Sequence, residues 1–353
     1  MAKKEDKEKE LKQDISKLEH ELSYLQRENK SLKGKRLDEE KLIAQFKDSL
    51  IRLKPEKPYV PKKINYSQHS GQELVLLFSD CQIGEKIDYE ETPFGEYNSD
   101  IFRKRLNLLY DGVIGITERH RKDTPINKLN IFMLGDIVDG EKIFRGQSAR
   151  VDSNVVDQFF TGAESISNFL HSLENHYQKI HVSCVAGNHG RVDEKKDSNK
   201  FYVNWDYLIY KTIQEKFKGH KNITFHVPKT WFNIEEVSGW KFYITHGDDI
   251  QRYMQIPWYG LERYDGKEMK LMQSIDKTYD YLCVGHLHVP FQWDAAVGER
   301  FCNGSFSSGN HFAAKKLQAS TRPTQLMFGV HPERGVSFRY LLRLDSKKRL
   351  DTF

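Results

Sequence analysis

Five short segments of this chain carry side chains that bind divalent metal ions, and they follow one another as Asp80-Cys81-Gln82, Gly135-Asp136-Ile137-Val138-Asp139, Gly187-Asn188-His189, His246-Gly247 and Gly285-His286-Leu287-His288. Carboxylates, amide oxygens and imidazoles together suit Mn, Fe or Zn. Two such ions held close together need a bridging carboxylate, and Asp136 fits that role because Gly135 before it frees the turn. The chemistry a paired site offers is activation of water and neutralisation of an anionic group under attack. His286 and His288, one residue apart, serve both ions if the backbone between them is extended.

Ligands scattered over some 200 positions act together only if the fold delivers them to one place. Each segment follows an apolar run that reads as a buried strand: LVLLF before Asp80, NIFML before Gly135, IHVSCVA before Gly187, FYIT before His246 and YLCV before Gly285. A site at the carboxyl ends of strands is where α/β sheets place their ligands. Between the strands, Ser99 and Asp100 start a helix through Phe102, Leu106 and Leu109, and residues 153–177 and 201–217 read as two more. After the last motif, residues 324–330 and 335–344 read as short strands around a Pro332–Gly335 turn. The alternation predicts a layered α/β sandwich.

A chain of 353 residues, 38% hydrophobic and 12% aromatic, can bury a full core. No apolar run approaches the roughly 18 residues of a membrane span, and the charged start MAKKEDKEKE has no apolar stretch of a secretory signal. Cys81, Cys184, Cys283 and Cys302 show neither disulfide-framework nor zinc-knuckle spacing, so the expected location is cytoplasmic. Residues 1–63 hold 18 Lys and Arg against 13 Asp and Glu, which is the whole surplus of +5, while the rest balances at 37 against 37. The catalytic region therefore lacks a global electrostatic footprint for long nucleic acid.

Leu11, Ile15, Leu18, Leu22, Leu25, Asn29 and Leu32 alternate in steps of four and three, a heptad seam with Asn29 at an a position. One such Asn favours a parallel pair in a single register, so a homodimer through a coiled coil is expected. Gly34 interrupts the seam, and Leu42, Ile43, Phe46, Leu50 and Leu53 line a second amphipathic helix. Pro55, Pro58 and Pro61 then keep the segment KPEKPYVPKK stiff and extended. The expected organisation is a helical arm at 1–53, a Pro-rich linker at 54–71 and an α/β domain at 72–353.

The motif order resembles the calcineurin-like metallophosphoesterase family, which carries D-x-H, G-D-x-x-D, G-N-H-D/E, H and G-H-x-H in this sequence. The resemblance covers roughly residues 73–312. It implies a four-layer α/β/β/α sandwich and two divalent ions, with manganese favoured over Fe, Zn or Mg. Asp80, Gln82, Asp136 and His288 would hold the first ion, and Asp136, Asn188, His246 and His286 the second. His189 and Asp136 would be catalytic, with His189 facing the leaving group as general acid or the phosphoryl oxygens as an electrostatic stabiliser, and a hydroxide bridging the ions attacking phosphorus. Asp139 would stand behind them, orienting a ligand histidine or a helix start, and Asn303-Gly304-Ser305 is similar to the family's supporting loop.

Two departures matter. Gln82 replaces the family's usual histidine and weakens that ligand, as in branches acting on nucleotide diphosphate links. Gly190 replaces the carboxylate that would orient His189, leaving Asp193 or Glu194 to reach back or His189 to act as an unassisted donor. The helical arm together with the Gly-Asn-His-Gly variant is similar to phosphoesterases of phages and mobile elements. Arg145, Arg191 and Arg252 are candidate phosphate contacts, and the segment from Gln251 to Tyr281 interleaves Arg252, Tyr253, Trp258, Tyr259, Arg263 and Tyr264, suited to base stacking or to a packed lid.

The function expected from these residues is a metal-dependent phosphodiesterase or nuclease acting on nucleic acid. A hydrolase of nucleotide or sugar-nucleotide pyrophosphate links is the second reading, favoured by Gln82 and the neutral charge balance. A catalytically weak assembly or binding protein is the third, and the plausible ligand at every metal position weighs against it.

Overall fold

The computed structural model describes residues 17, 21–30, 40–41, 43–48, 71–193, 200–251, 257–309 and 321–345. Contacts divide the chain into two units, Met1–Lys54 and Pro55–Phe353. In the first, residues 21–30 and 43–48 are helical, with Leu22, Leu25 and Ile43 each more than half exposed. Leu11, Ile15, Leu18 and Leu32 of the seam, and Leu42, Leu50 and Leu53 of the second helix, lie outside the described residues.

The second unit is a mixed α/β structure built on two sheets. The larger comprises β1 (Glu73–Phe78), β2 (Lys128–Met133), β3 (Lys179–Cys184), β4 (Ile223–His226), β10 (Thr324–His331) and β11 (Gly335–Arg343). Its order is β11-β10-β1-β2-β3-β4, with β1 to β4 parallel and β10 antiparallel to both β1 and β11. The smaller comprises β5 (Phe232–Val237), β6 (Trp240–Thr245), β7 (Tyr281–Val284), β8 (Phe291–Asp294) and β9 (Glu299–Cys302), ordered β5-β6-β7-β9-β8. Here β6, β7 and β9 are parallel and the two edge strands run against them.

The parallel strands are apolar on both faces because both are covered. Val75, Leu77, Phe132, Leu134 and Val185 meet Val237, Phe242, Ile244, Tyr281, Cys283 and Phe301 in one core between the sheets. Each such side chain, once fully buried, contributes about 1.5–3 kcal/mol. Helices α1 (Ser99–His120), α2 (Val155–Glu174) and α3 (Trp205–Lys216) follow β1, β2 and β3. Each starts at an asparagine, Asn98, Asn154 or Asn204, whose side-chain oxygen accepts first-turn N–H groups. The cap of α1 is thus Asn98, one residue before the Ser99 expected from sequence. On the smaller sheet, Tyr243, Leu282, Val284 and Cys302 pack with Leu261 and Met272 of helix α4 (Pro257–Gln273). That helix occupies most of the Gln251–Tyr281 segment; Tyr264 packs inward, Trp258, Tyr259 and Arg263 are exposed, and Arg252 and Tyr253 lie outside the described residues. No helix among the described residues is long and apolar enough to cross a membrane. All four cysteines are free and buried.

Candidate metal centre

The motif loops leave the carboxyl ends of β1, β2, β3, β6 and β7 and are laced together by backbone hydrogen bonds. Asp80 N–H donates to the Gly135 carbonyl at 3.0 Å, Gln82 N–H to Asp136 at 3.0 Å, and Gly285 N–H to His246 at 3.0 Å. Close approach requires small residues here: a Cβ on Gly135 would meet Gly187 N at 2.3 Å, and one on Gly187 would meet Asp136 Oδ1 at 2.1 Å.

Among the described residues seven non-glycine residues adopt left-handed backbone, and five of them are Asp80, Gln82, Asp136, His286 and His288, with φ between 48° and 62°. Such a conformation costs on the order of 1–3 kcal/mol per residue and persists where surrounding contacts over-determine it. Its concentration in the motif loops turns side chains off the strand ends toward one point. This corrects the extended backbone expected across His286 and His288: both turn at positive φ, and Leu287 N–H donates to the Gly285 carbonyl at 2.6 Å.

Two groups of donors result, each with its donor atoms within 4.8 Å of one another: Asp136, His246 and His286, and Asp80, Asp136 and His288. Asp136 belongs to both. Its Oδ2 lies 3.1 Å from His246 Nε2 and accepts from Gln82 Nε2 at 3.2 Å, while its Oδ1 accepts the His189 N–H at 2.8 Å. Asn188 Oδ1 lies 3.0 Å from His246 Nε2, and His288 Nε2 lies 3.2 Å from Asp80 Oδ1. His246 Nδ1 donates to the Leu134 carbonyl at 2.7 Å, which commits Nε2 to the cluster. Asp80 and Asp136 are buried carboxylates with no Lys or Arg among their described partners, so the donor set fits divalent cations.

The charges are strongly coupled. Burial would raise the Asp136 carboxyl, but His246 and His189 outweigh it and hold the group well below the usual carboxylate range. Burial would likewise lower His246, yet Asp136 pushes it up to about 10. His286 is driven down to about 3 by burial and by the neighbouring His246, so it stands as a neutral imidazole. Without a cation His246 therefore holds a proton at neutral pH, which a bound cation would displace.

Asp139 faces His189, not a ligand histidine. His189 Nδ1 donates to the Asp139 carbonyl at 2.9 Å and lies 3.0 Å from its Oδ1, while Gln147 Nε2 donates to the Asp139 carbonyl at 2.6 Å and lies 3.2 Å from Oδ2. Burial alone would lower His189; Asp136 and Asp139 together raise it to about 10. This supplies a carboxylate where Gly190 has none; Glu194 is outside the described residues. A Cβ on Gly190 would meet Asn204 Oδ1 at 2.3 Å and Asp206 Oδ1 at 3.0 Å, so no larger residue fits there as the loop stands.

Asp206, in the first turn of α3, is the residue that sequence reasoning missed. Its fully buried carboxylate accepts N–H groups from Asp136 (2.9 Å), Ile137 (3.0 Å), Val138 (3.3 Å) and Gly187 (2.9 Å), clamping the second and third motifs together. Burial and the nearby Asp136 nevertheless push it up to about 6. Asn204 assists by donating to the Gly187 carbonyl at 2.8 Å. Asp206→Ala leaves those donors buried without an acceptor and is expected to destabilise the protein by about 3–5 kcal/mol, read as a fall in urea midpoint at unchanged slope.

On the first motif, Ser305 Oγ donates to the Asp80 carbonyl at 2.9 Å and Asn303 Nδ2 to Ser79 Oγ at 2.9 Å, so this loop holds Asp80 in place. Of the three arginines, Arg145 is exposed beside Phe144, whose half-exposed ring stands 5.1 Å from that of His189. Arg191 follows His189 in the same loop with its Nε buried and unpartnered, and Arg252 lies outside the described residues. Neither Arg145 nor Arg191 is brought into the cluster among the described contacts.

No family model matches the chain, and no curated protein does. Among solved structures it is similar to Vacuolar Protein Sorting 29 from Cryptosporidium parvum, at 14% identity and TM-score 0.33, over 74% of this chain and 86% of that one. A predicted phosphoesterase from Streptococcus pneumoniae matches at 11% identity and TM-score 0.29, over 76% and 98%. An archaeal phosphodiesterase matches at 10% identity and TM-score 0.32, over 76% and 99%.

Proposed function

We propose that the chain is a dinuclear metal-dependent phosphoesterase, acting as a phosphodiesterase on nucleic acid. The observation that carries this reading is the pair of donor groups sharing Asp136, on loops turned inward by left-handed backbone. In it Asp80, Asp136 and His288 would hold one ion with the amide oxygen of Gln82, and Asp136, His246 and His286 would hold the other with Asn188. The layers read as α/β/β/α, and manganese is favoured because Gln82 is a weaker, harder donor than imidazole. When bound, the ions would neutralise phosphoryl charge and lower the pKa of water.

The remaining work falls to the chain. His189 Nδ1 is tied to Asp139, which leaves Nε2 to hold a proton and deliver it to the leaving oxygen. Asp139→Asn removes the negative charge that stabilises the imidazolium, so the His189 pKa falls. The alkaline limb of kcat is then expected to move to lower pH, with kcat itself down about 10–100-fold, checked by a pH–rate profile.

The test of the function is hydrolysis of bis-p-nitrophenyl phosphate against p-nitrophenyl phosphate with added Mn. Preference for the diester is expected; preference for the monoester would remove the phosphodiesterase reading. A nuclease loses affinity steeply with salt and a hydrolase of small pyrophosphate links hardly at all, so salt dependence separates the two readings. The seam of the arm and the exposed Leu22 and Leu25 support a coiled-coil homodimer in the cytoplasm, an assignment that monomers in sedimentation at micromolar concentration would overturn.

A further inference from the structure

At the amino ends of the same parallel strands lies a second group of donors that the proposed function does not use. His171 and Glu174 stand three apart in the last turn of α2, and His220 lies in the loop between α3 and β4. The side chains of Glu174 and His220 are completely buried, whereas His171 is 38% exposed. Glu174 Oε2 lies 3.2 Å from His171 Nδ1, and Oε1 lies 2.9 Å from His220 Nδ1. One donor atom from each of the three falls within 4.8 Å of the other two. We propose that this trio is a zinc site, distinct from the candidate metal centre and open to solvent on the His171 side.

Two observations carry it. Tetrahedral zinc with bonds of about 2.0–2.1 Å sets adjacent ligands about 3.3 Å apart, close to both carboxylate–imidazole distances already present. Only the separation between the histidines has to close, and His171, at the helix end and partly in solvent, has the freedom to move. Charge is the second observation. A carboxylate taken fully out of water needs a compensating charge, and the described partners of the Glu174 side chain are two imidazoles with no Lys or Arg among them. A divalent cation supplies that charge while both rings stay neutral.

The site would clamp the end of α2 to the segment entering β4. It sits roughly 20 Å, the length of a six-residue strand, from the carboxyl ends that carry the candidate centre. At that distance it acts apart from the candidate centre, joining two elements of the fold.

The test is the zinc content of the full chain, stripped, reloaded with zinc and passed through a desalting column. Wild type is expected to carry one more zinc per chain than His171→Ala, and the same difference is expected when both carry Asp136→Asn and His246→Ala. His171 is partly exposed, so its alanine variant stays folded by circular dichroism. Glu174→Gln, nearly the same shape, is expected to lose the same zinc. Equal zinc content with and without His171, or a Glu174→Gln chain that keeps its zinc, would overturn the proposal.

Discussion

Asp136→Asn is expected to lower kcat by on the order of 10³-fold or more, beyond the loss from removing one preorganised electrostatic group. Both carboxylate oxygens are committed: one accepts the His189 N–H at 2.8 Å and the other faces His246 Nε2 at 3.1 Å and Gln82 Nε2 at 3.2 Å. Asparagine supplies one neutral oxygen and replaces the other by an NH₂ group, which presents protons where a cation would sit. It also removes the charge that raises His189 and His246, so the loss extends beyond the ions. The backbone of residue 136 stays anchored by Asp206 at 2.9 Å, and the variant should fold. Elemental analysis should find fewer than two ions per chain at the candidate centre. Wild-type turnover with both ions bound would remove Asp136 as the bridge.

His189→Ala should behave differently. The side chain bonds to Asp139 rather than joining either donor group, so metal content is expected to remain as in wild type. The rate should fall by about 10²–10⁴-fold, the usual size of a general-acid contribution. The loss should be smallest for p-nitrophenolate, which leaves without a proton, and largest for an alkyl or ribose alcohol. An equal loss for good and poor leaving groups would assign His189 to electrostatic stabilisation of the phosphoryl group instead.

The donors are legible in sequence because each follows a strand directly, so that pattern and chemistry fall within a few residues of one another. Asp206 is not, because Asn204-Trp205-Asp206 reads as an ordinary cap and first-turn acid, and its four acceptor bonds exist only once α3 lies beneath two loops ending 19 and 70 residues earlier. Asp139 reads as standing behind the ligands, but its partner depends on the path of the Gly190 turn, which no periodicity encodes. The strands β4 and β8 are hidden for a simpler reason: at four residues each, with exposed positions at Thr224, His226, Gln292 and Asp294, they present too few apolar repeats to stand out.

The left-handed backbone of the motif loops has a consequence for anyone seeking a hardier variant of this protein. Glycine at Gln82 or His288 would relax a strained turn while discarding a donor, so a library ranked on stability alone would enrich the inactive chains. Ser238 and Asp276 hold the same conformation outside the motif loops, at φ of 50° and 55°. Glycine there should recover up to about 1 kcal/mol with activity intact, and that contrast separates strain retained for chemistry from strain that merely turns a corner.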